Sequence, residues 1–430
     1  MKMHNAADVY LWGTHVGTVS LQDGNPIAAF QYTDAFRGMG VELSPIRMPL
    51  SPAVFSFPDL PIRSFHGLPG LLSDSLPDKF GNAVITAWLR EQNKNPEDLN
   101  VIDRLCYAGR RGMGALEYRP AILDKEDVSE RVTVEALSEL ADRVLRIRED
   151  AKTALIPGMN EYSSILKVGS SAGGARAKAI IGWHEETGEV RSGQVRLPEG
   201  FGYWLIKFDG ITGNGDKEGD DKWGYGRVEY AYHLMARAAG IKMSECRLWN
   251  KRHFMTRRFD RLENGGKLHM QTLGAMAHLD FNDPVSHSYE QAFRVTRRVV
   301  NDARANEQLF RRMAFNVLAW NCDDHVKNIS YLMDRAGEWT LAPAYDECYA
   351  YNPAGDWTSR HQMAVNGKRF GITDEDILAC AQFANMRERK ARAVLDEVRS
   401  AVREWPLFAA EAEVREDFAA EIAKTLGCAR

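Results

Sequence analysis

The sequence lacks the cysteine patterns that stabilise small secreted domains or zinc-binding domains. Its six cysteines, at positions 106, 246, 322, 348, 380 and 428, are scattered, with no C-x-x-C pair and no cluster with histidine. Disulfide frameworks and structural zinc sites depend on such spacings. The sequence therefore argues against both a disulfide framework and a structural zinc site.

Long apolar runs are also missing. No stretch of about 18 apolar residues occurs, which is the length needed to span a bilayer as a helix. The first residues, MKMHNAADVYLWG, contain no apolar segment of the secretory type. We therefore expect a cytoplasmic protein with no membrane partner.

The chain has no strong excess of charge of one sign. Lys and Arg number 55 against 59 Asp and Glu, a net charge of −4, so no global field favours nucleic acid. Local basic clusters, such as Arg294, Arg297 and Arg298, are more typical of solvated faces. The composition therefore does not predict direct DNA contact.

The composition is that of a soluble globular protein, and the length of the chain fits two or three domains. Residues 9–60 alternate apolar and polar positions between Gly and Pro, which predicts short antiparallel strands. We divide the chain into a β-rich N-terminal subdomain with helices (1–125), a strand-rich region (126–262) and a mostly helical C-terminal lobe (263–430). This order predicts an α+β, two-lobed, protein-kinase-like fold.

Several helices show clear start and stop signals. Thr133 is the expected N-cap of a helix that ends near Arg148. Another helix, from about Arg227, should end before Gly240. A helix with Leu309, Met313, Val317 and Trp320 in register leads into the 321–328 loop, and Thr373 to Asp376 resembles a capping box.

The strongest motif is the stretch NCDDHVKN at positions 321–328. Asp323 and Asn328 have the Asp-x4-Asn spacing of a protein-kinase catalytic loop, in which the aspartate accepts a hydroxyl proton and the asparagine binds magnesium. Asp323 is the expected base because Asp324 has the wrong distance to Asn328. Asp346, in Tyr345-Asp346, falls where a kinase keeps its second magnesium ligand. Both segments would otherwise form ordinary turns.

Lys207 lies inside the apolar run YWLIKF, where a lysine is costly unless it is paired or meets a ligand. Glu229, on the next predicted helix, is the expected partner. A strand lysine paired with a helix glutamate is how kinases hold ATP phosphates. An edge-strand lysine and a surface glutamate would give the same pattern.

The segment GSSAGGARAK at 169–178 lies between two predicted strands. It is neither a Walker A loop nor a G-x-G-x-x-G motif. Its backbone amides are suited to cradling phosphates. An ordinary hairpin turn has the same composition.

Together these residues resemble the HipA family, the kinase toxins of bacterial type II toxin–antitoxin pairs. The resemblance rests on Ser171 to Lys178, on Lys207, on the Arg-Phe-Asp-Arg run from Arg258 to Arg261, on Asp323 to Asn328, and on Tyr345-Asp346. The N-terminal strands and the segment LLSDSLPDKFG resemble the small domain that precedes the kinase core. Arg176-Ala177 replaces the family's more usual Gln-Glu or Gln-Pro and indicates a divergent branch.

The resemblance implies a serine/threonine kinase that uses ATP and Mg²⁺ and phosphorylates a translation component such as an aminoacyl-tRNA synthetase. It implies a HipB-like helix-turn-helix antitoxin as a partner, with operator DNA bound through that partner. Ser171, or the adjacent Ser170, would be autophosphorylated. We left two alternatives open: a module that docks an antitoxin without catalysis, and a kinase for a small metabolite.

The resemblance also implies a set of site residues. Asp323 is the expected catalytic base, and Asn328 and Asp346 are the expected metal ligands. The expected nucleotide-binding residues are Gly173, Gly174, Ala175, Arg176, Lys178, Lys207, Arg258, Phe259, His325 and Tyr345.

Overall fold

The structure is a computed structural model that describes residues 4–122, 129–149, 176–211 and 224–428. Within these ranges, no helix is both long enough and apolar enough to cross a membrane.

The N-terminal region is built on an antiparallel sheet with the strand order β3-β2-β1-β4. Its strands are β1 (Ala6–Leu11), β2 (Thr14–Ser20), β3 (Ala29–Tyr32) and β4 (Leu116–Arg119). Trp12 and Gly13 join β1 to β2, and both have positive φ, as tight hairpin turns require. The predicted short antiparallel strands are thus present.

Helices connect β3 to β4. They are α1 (Asp34–Arg37), α2 (Ile62–Phe65), α3 (Gly70–Ser73), α4 (Lys79–Glu91) and α5 (Val101–Ala108). α4 begins where the Asp78 carboxylate accepts a hydrogen bond from the Gly81 backbone at 2.6 Å. This cap fixes Asp78 at the edge of the functional site described below.

The middle region carries a second antiparallel sheet, with the order β6-β5-β7-β9-β8. Its strands are β5 (Lys178–Trp183), β6 (Val190–Ser192), β7 (Gly202–Lys207), β8 (Cys246–Trp249) and β9 (His253–Arg257). Two helices flank it: α6 (Val134–Glu149) and α7 (Tyr225–Ala238). Since Lys207 pairs with Lys178 on one side and Phe254 on the other, it lies on a central strand and not at an edge.

The C-terminal region combines a small antiparallel sheet with helices. The strands are β10 (His269–Thr272), β11 (Ser330–Met333) and β12 (Trp339–Leu341). The helices are α8 (Leu273–Ala277), α9 (Tyr289–Val299), α10 (Ala303–Leu318), α11 (Asp374–Ala379), α12 (Glu388–Arg403), α13 (Trp405–Glu411) and α14 (Glu416–Thr425).

The predicted helix signals are mostly confirmed. The Thr133 hydroxyl accepts the Ala136 backbone N–H at 3.2 Å at the start of α6. Thr373 and Asp376 form a reciprocal capping box at α11. The prediction that Trp320 belongs to the helix before the 321–328 loop was wrong, because α10 ends at Leu318 and Trp320 turns out of it with a φ of 52°. This turn directs the chain into the loop.

The N-terminal region contributes residues to two separate hydrophobic cores. The four-stranded sheet shares one core with the C-terminal helices, which brings Val9 and Phe30 into the same cluster as Phe310. Helix α4 packs instead with α6 and the five-stranded sheet, through residues such as Trp88 and Ile206. The N-terminal region therefore contacts both lobes. The boundaries 1–125, 126–262 and 263–430 stay predictions.

Candidate active site

A cleft opens between the five-stranded sheet and the segment at 344–347. One part of its lining is apolar or aromatic, and the other is charged. The lining consists of Met113, Lys178, Leu205, Lys207, Glu229, Met243, Cys246, Phe254, Thr256, Arg257, Arg258, Phe259, Met270, Ala344, Tyr345, Asp346 and Glu347. Such a cleft, apolar with a few convergent polar groups, is the usual form of a small-molecule site.

Lys207 is the central charge of this cleft. Its ammonium lies 2.5 Å from the Glu229 carboxylate and also donates to the carboxylate of Asp346. Burial disfavours the ammonium, but the two carboxylates outweigh that effect and hold the pKa of Lys207 above its usual value. The predicted ion pair between Lys207 and Glu229 is therefore present, and a third charged group joins it.

Asp346 has a left-handed backbone, with a φ of 56°. Asp adopts this conformation more readily than most residues. Burial opposes the charged carboxylate, but Lys207, Lys178 and His325 together keep the pKa of Asp346 below its usual value. Its side chain keeps 32% of its surface exposed, so the ionised carboxylate can be reached from the cleft.

Tyr345 connects the cleft to the 321–328 loop. Its hydroxyl donates to the Lys327 carbonyl at 2.5 Å and also bonds the hydroxyl of Ser330. Its ring lies 5.6 Å from the ring of Phe259, across the apolar part of the cleft. Tyr345 thus fixes the position of Asp346 relative to the loop that carries Asp323.

The 321–328 loop is closed by its own hydrogen bonds. The Asn328 side-chain amide donates to the Asp323 carbonyl at 2.8 Å, and the His325 backbone N–H donates to the same carbonyl at 2.9 Å. The Asp323 side chain keeps 35% of its surface exposed. Its Oδ1 accepts the indole N–H of Trp357 at 2.7 Å. His325 Nε2 lies 4.0 Å from that oxygen.

Asp324, the next residue, is buried and anchors the loop. Its carboxylate accepts the Tyr289 hydroxyl at 2.9 Å and the Gln362 backbone N–H at 2.7 Å, and it lies 3.2 Å from His361 Nδ1. Burial would lower the pKa of His361, but the Asp324 carboxylate outweighs it and raises that pKa to about 10. Asp324 therefore belongs to a buried ion pair, whereas the side chain of Asp323 is partly exposed.

Arg258 lines the cleft, but its guanidinium is held by Asp260, with contacts of 2.9 and 2.7 Å. Asp260 also accepts from Arg261 at 2.7 Å and from the Gly114 backbone at 2.7 Å. Burial opposes the Asp260 carboxylate, but the two guanidinium groups lower its pKa well below the usual range. The Arg-Phe-Asp-Arg run thus joins the strand end to the N-terminal region and leaves Phe259 facing the cleft.

Sequence reasoning missed a contribution from the N-terminal region. The Lys178 ammonium lies 3.1 Å from the Asp78 carboxylate, and both side chains are almost fully buried. Asp74, four residues earlier, accepts from the Thr272 backbone at 2.7 Å and interacts with Lys327 of the 321–328 loop. Two acidic residues in the Pro-marked segment LLSDSLPDKFG were the available signal. Their partners lie about 100 to 250 positions later, so the sequence alone did not connect them.

Arg176 is placed differently from the other predicted residues. Its guanidinium pairs with Asp209 at 3.4 Å and lies over the ring of Tyr225. Among the described residues, it is not part of the cleft lining. A nucleotide contact by Arg176 stays a prediction.

Glu347 is a further cleft residue that the sequence analysis did not identify. Burial raises its pKa to about 8, although the nearby Arg312 and a hydrogen bond from Asn321 favour the charged form. Asn321 donates to the Glu347 carboxylate at 3.2 Å and to the Asp346 carbonyl at 3.4 Å. Glu347 therefore forms part of the polar support behind Asp346.

Asp346 and Asn328 supply carboxylate and amide oxygens, which are the ligands that Mg²⁺ prefers. Across the described ranges, no group of three His, Cys, Asp or Glu side chains is arranged to hold a metal ion. A magnesium ion in kinases usually binds one or two carboxylates together with substrate phosphates, and it does not need such a cage. The side chains that are present fit this mode of binding.

Two sequence models of known domains match the chain. The HipA N-terminal domain matches residues 7–119, and the HipA-like C-terminal domain matches residues 170–405, which is more than half of the chain. The chain belongs to the HipA family. A search of curated proteins found no significant match.

A HipA structure gives the same result for the fold. A chain of the Shewanella oneidensis MR-1 toxin–antitoxin complex of HipA, HipB and operator DNA superposes with a TM-score of 0.65 at 15% identity, covering 98% of this chain and 95% of that one. The Helicobacter pylori proinflammatory kinase CtkA matches with a TM-score of 0.31 at 12% identity, over 53% of this chain and 89% of its own. The predicted α+β, HipA-like fold is confirmed.

Within this HipA-like fold, the predicted site residues other than Arg176 fall into three groups. Lys178, Lys207, Arg258, Phe259, Tyr345 and Asp346 line the cleft. Asp323, His325 and Asn328 lie on the adjoining loop. Ser171, Gly173, Gly174 and Ala175 lie outside the described residues. The binding and catalytic roles given to all of them stay predictions.

Proposed function

We propose that this HipA-family chain is a serine/threonine protein kinase that uses ATP and Mg²⁺. The observation that carries the proposal is the position of Lys207, buried between Glu229 and Asp346 and connected through Tyr345 to the loop of Asp323. Protein kinases use this combination of strand lysine, helix glutamate, metal-binding aspartate and catalytic loop.

Each residue has a distinct task in the proposed reaction. Lys207 binds the phosphates, and the apolar lining from Leu205, Met243 and Phe259 receives the adenine. Asp323 accepts the proton of the attacking hydroxyl, since its carboxylate is exposed beside the cleft. Asn328 and Asp346 would hold Mg²⁺, which neutralises charge on the transferring phosphoryl group.

Labelled ATP tests the proposal directly. The purified protein is incubated with γ-labelled ATP, Mg²⁺ and a cell extract, and the Asp323→Ala variant is treated in the same way. We expect label on protein in the first reaction and a loss of about 10²–10⁴ in rate in the second. Label found only on small molecules would favour a metabolite kinase, and a lack of ATP binding would contradict both enzyme proposals.

We further propose that the chain is the toxin of a toxin–antitoxin pair and that a translation component, such as an aminoacyl-tRNA synthetase, is its substrate. Membership of the HipA family supports this, as does the likeness to a HipA structure described with HipB and operator DNA. Identification of the labelled protein by mass spectrometry tests the substrate. Co-purification with the product of a neighbouring helix-turn-helix gene, followed by operator binding with and without the chain, tests the partners.

Autophosphorylation of Ser171 is part of the same proposal. Mass spectrometry of protein made in active form and as Asp323→Ala distinguishes the outcomes. We expect phosphate on Ser171, or on the adjacent Ser170, only in the active form. An unmodified segment in the active form would contradict autophosphorylation at this site.

A further inference from the structure

The Asp323 carboxylate is held by a residue that no motif identified. Trp357 donates its indole N–H to Asp323 Oδ1 at 2.7 Å, within the ordinary range for an N–H donor. The indole nitrogen is only a donor, so it cannot take the proton that a base accepts. The indole N–H therefore restricts the position of one carboxylate oxygen and does not compete for the proton that Asp323 accepts.

The segment that carries Trp357 is itself fixed to the loop of Asp323. Gln362 donates its side-chain amide to the Trp357 carbonyl at 2.5 Å and to the Cys322 carbonyl at 3.2 Å. The Gln362 backbone N–H bonds Asp324 at 2.7 Å, and the side chain of His361 pairs with the same carboxylate. The buried Asp324 thus holds the segment, and the segment holds Asp323.

We propose that Trp357 is a positioning residue for the base, orienting the Asp323 carboxylate so that its second oxygen faces the substrate hydroxyl. This inference rests on the proposed kinase function. A general base must lie within hydrogen-bond reach of the proton that it accepts, and a hydrogen bond to one carboxylate oxygen restricts the rotation of a partly exposed side chain. Trp357 follows Asp346 in the chain, in the region where protein kinases place their activation segment.

The test compares Trp357→Phe, Asp323→Ala and the double variant in phosphotransfer. The phenylalanine side chain keeps an aromatic ring at this position but has no N–H donor. Because a hydrogen bond to a charged group contributes about 1.5–3 kcal/mol, we expect kcat to fall roughly 10- to 100-fold in Trp357→Phe, with an unchanged KM for ATP. In the Asp323→Ala background, the second substitution should cause no further loss, because the two residues act as one unit.

Trp12→Phe is the matched control. The Trp12 indole also donates over 2.7 Å, to the Lys267 carbonyl, and has no contact with Asp323. We expect wild-type kcat from this variant. An equal loss in the control, or an additive loss in the double variant, would overturn the inference in favour of a general packing effect.

The contact itself is measured by the indole ¹H–¹⁵N signal of Trp357, assigned from its disappearance in Trp357→Phe. We expect Asp323→Ala to shift this signal, and an unchanged signal would overturn the inference. Wild-type or higher kcat in Trp357→Phe would overturn it while the proposed kinase function stands. Failure of the wild type to transfer phosphate would reject the kinase function and the inference together.

Discussion

The two ends of the candidate site differ in how their charges are held. At the Lys207 end, one mostly buried ammonium is enclosed by the carboxylates of Glu229 and Asp346, so its positive charge is paired within the protein. At the Asp323 end, the carboxylate is about one-third exposed and accepts the indole N–H of Trp357. The first arrangement suits binding of phosphates at a fixed place, and the second suits exchange of a proton with an incoming hydroxyl.

The adjacent residues Asp323 and Asp324 show the same contrast, because the first carboxylate is partly exposed and the second is paired inside the protein. Asp324→Ala should be the most destabilising change, because it leaves His361 and Tyr289 buried without their shared acceptor. Removing one partner of a buried ion pair costs about 3–5 kcal/mol. Urea unfolding measures the loss. Asp323→Ala is the control, with a cost under about 1 kcal/mol expected for a partly exposed side chain, and equal losses would remove the distinction between the two residues.

Lys207→Met tests the closed end of the site. The substitution leaves two carboxylates facing each other in the cleft, so we expect a loss of roughly 3 kcal/mol, at the low end for a buried pair because Asp346 is partly exposed. Lys251→Met is the control, since its 2.6 Å pair with Glu413 is exposed and should contribute less than about 1 kcal/mol. Equal losses in chemical denaturation would show that the Lys207 network contributes no more than a surface pair.

Glu347 predicts a smaller effect that depends on pH. Its folded-state pKa of about 8 lies above the ordinary value of 4.5, so the unfolded chain releases this proton first as pH rises. The free energy of unfolding should therefore decrease from about pH 4.5 to pH 8 through this group. Glu347→Gln removes that contribution.

The measurement is the melting temperature at pH 4 and at pH 9 for the wild type and for Glu347→Gln. We expect similar values at pH 4 and a higher value for the variant at pH 9. Glu338→Gln, at an exposed position, is the control and should follow the wild type at both values. A Glu347→Gln variant less stable than the wild type at pH 9 would contradict the assignment.

The sequence predicted the parts of the site that depend on local signals. The Asp-x4-Asn spacing, the capping residues Thr133 and Thr373, and the pairing of a strand lysine with Glu229 are encoded within short stretches. The structure has these caps and this pair. The spacing to Asn328 also selected Asp323 over Asp324 as the candidate base. In the structure, Asp324 is buried in an ion pair.

The missed contacts depend on folding over long distances along the chain. Asp78 meets Lys178 across 100 positions, and Trp357 reaches Asp323 across 34. The structure places Trp357, after Asp346, on the candidate base, a contact that no pattern of spacing or composition predicts.

The difference between the two ends of the site is the central claim, and one paired measurement on Asp323→Ala tests it most directly. ATP affinity by calorimetry and γ-phosphate transfer are measured on the same preparation, with Mg²⁺ present. We predict an ATP affinity equal to that of the wild type and a transfer rate lower by about 10²–10⁴. Loss of ATP binding in this variant, or transfer at the wild-type rate, would contradict the account.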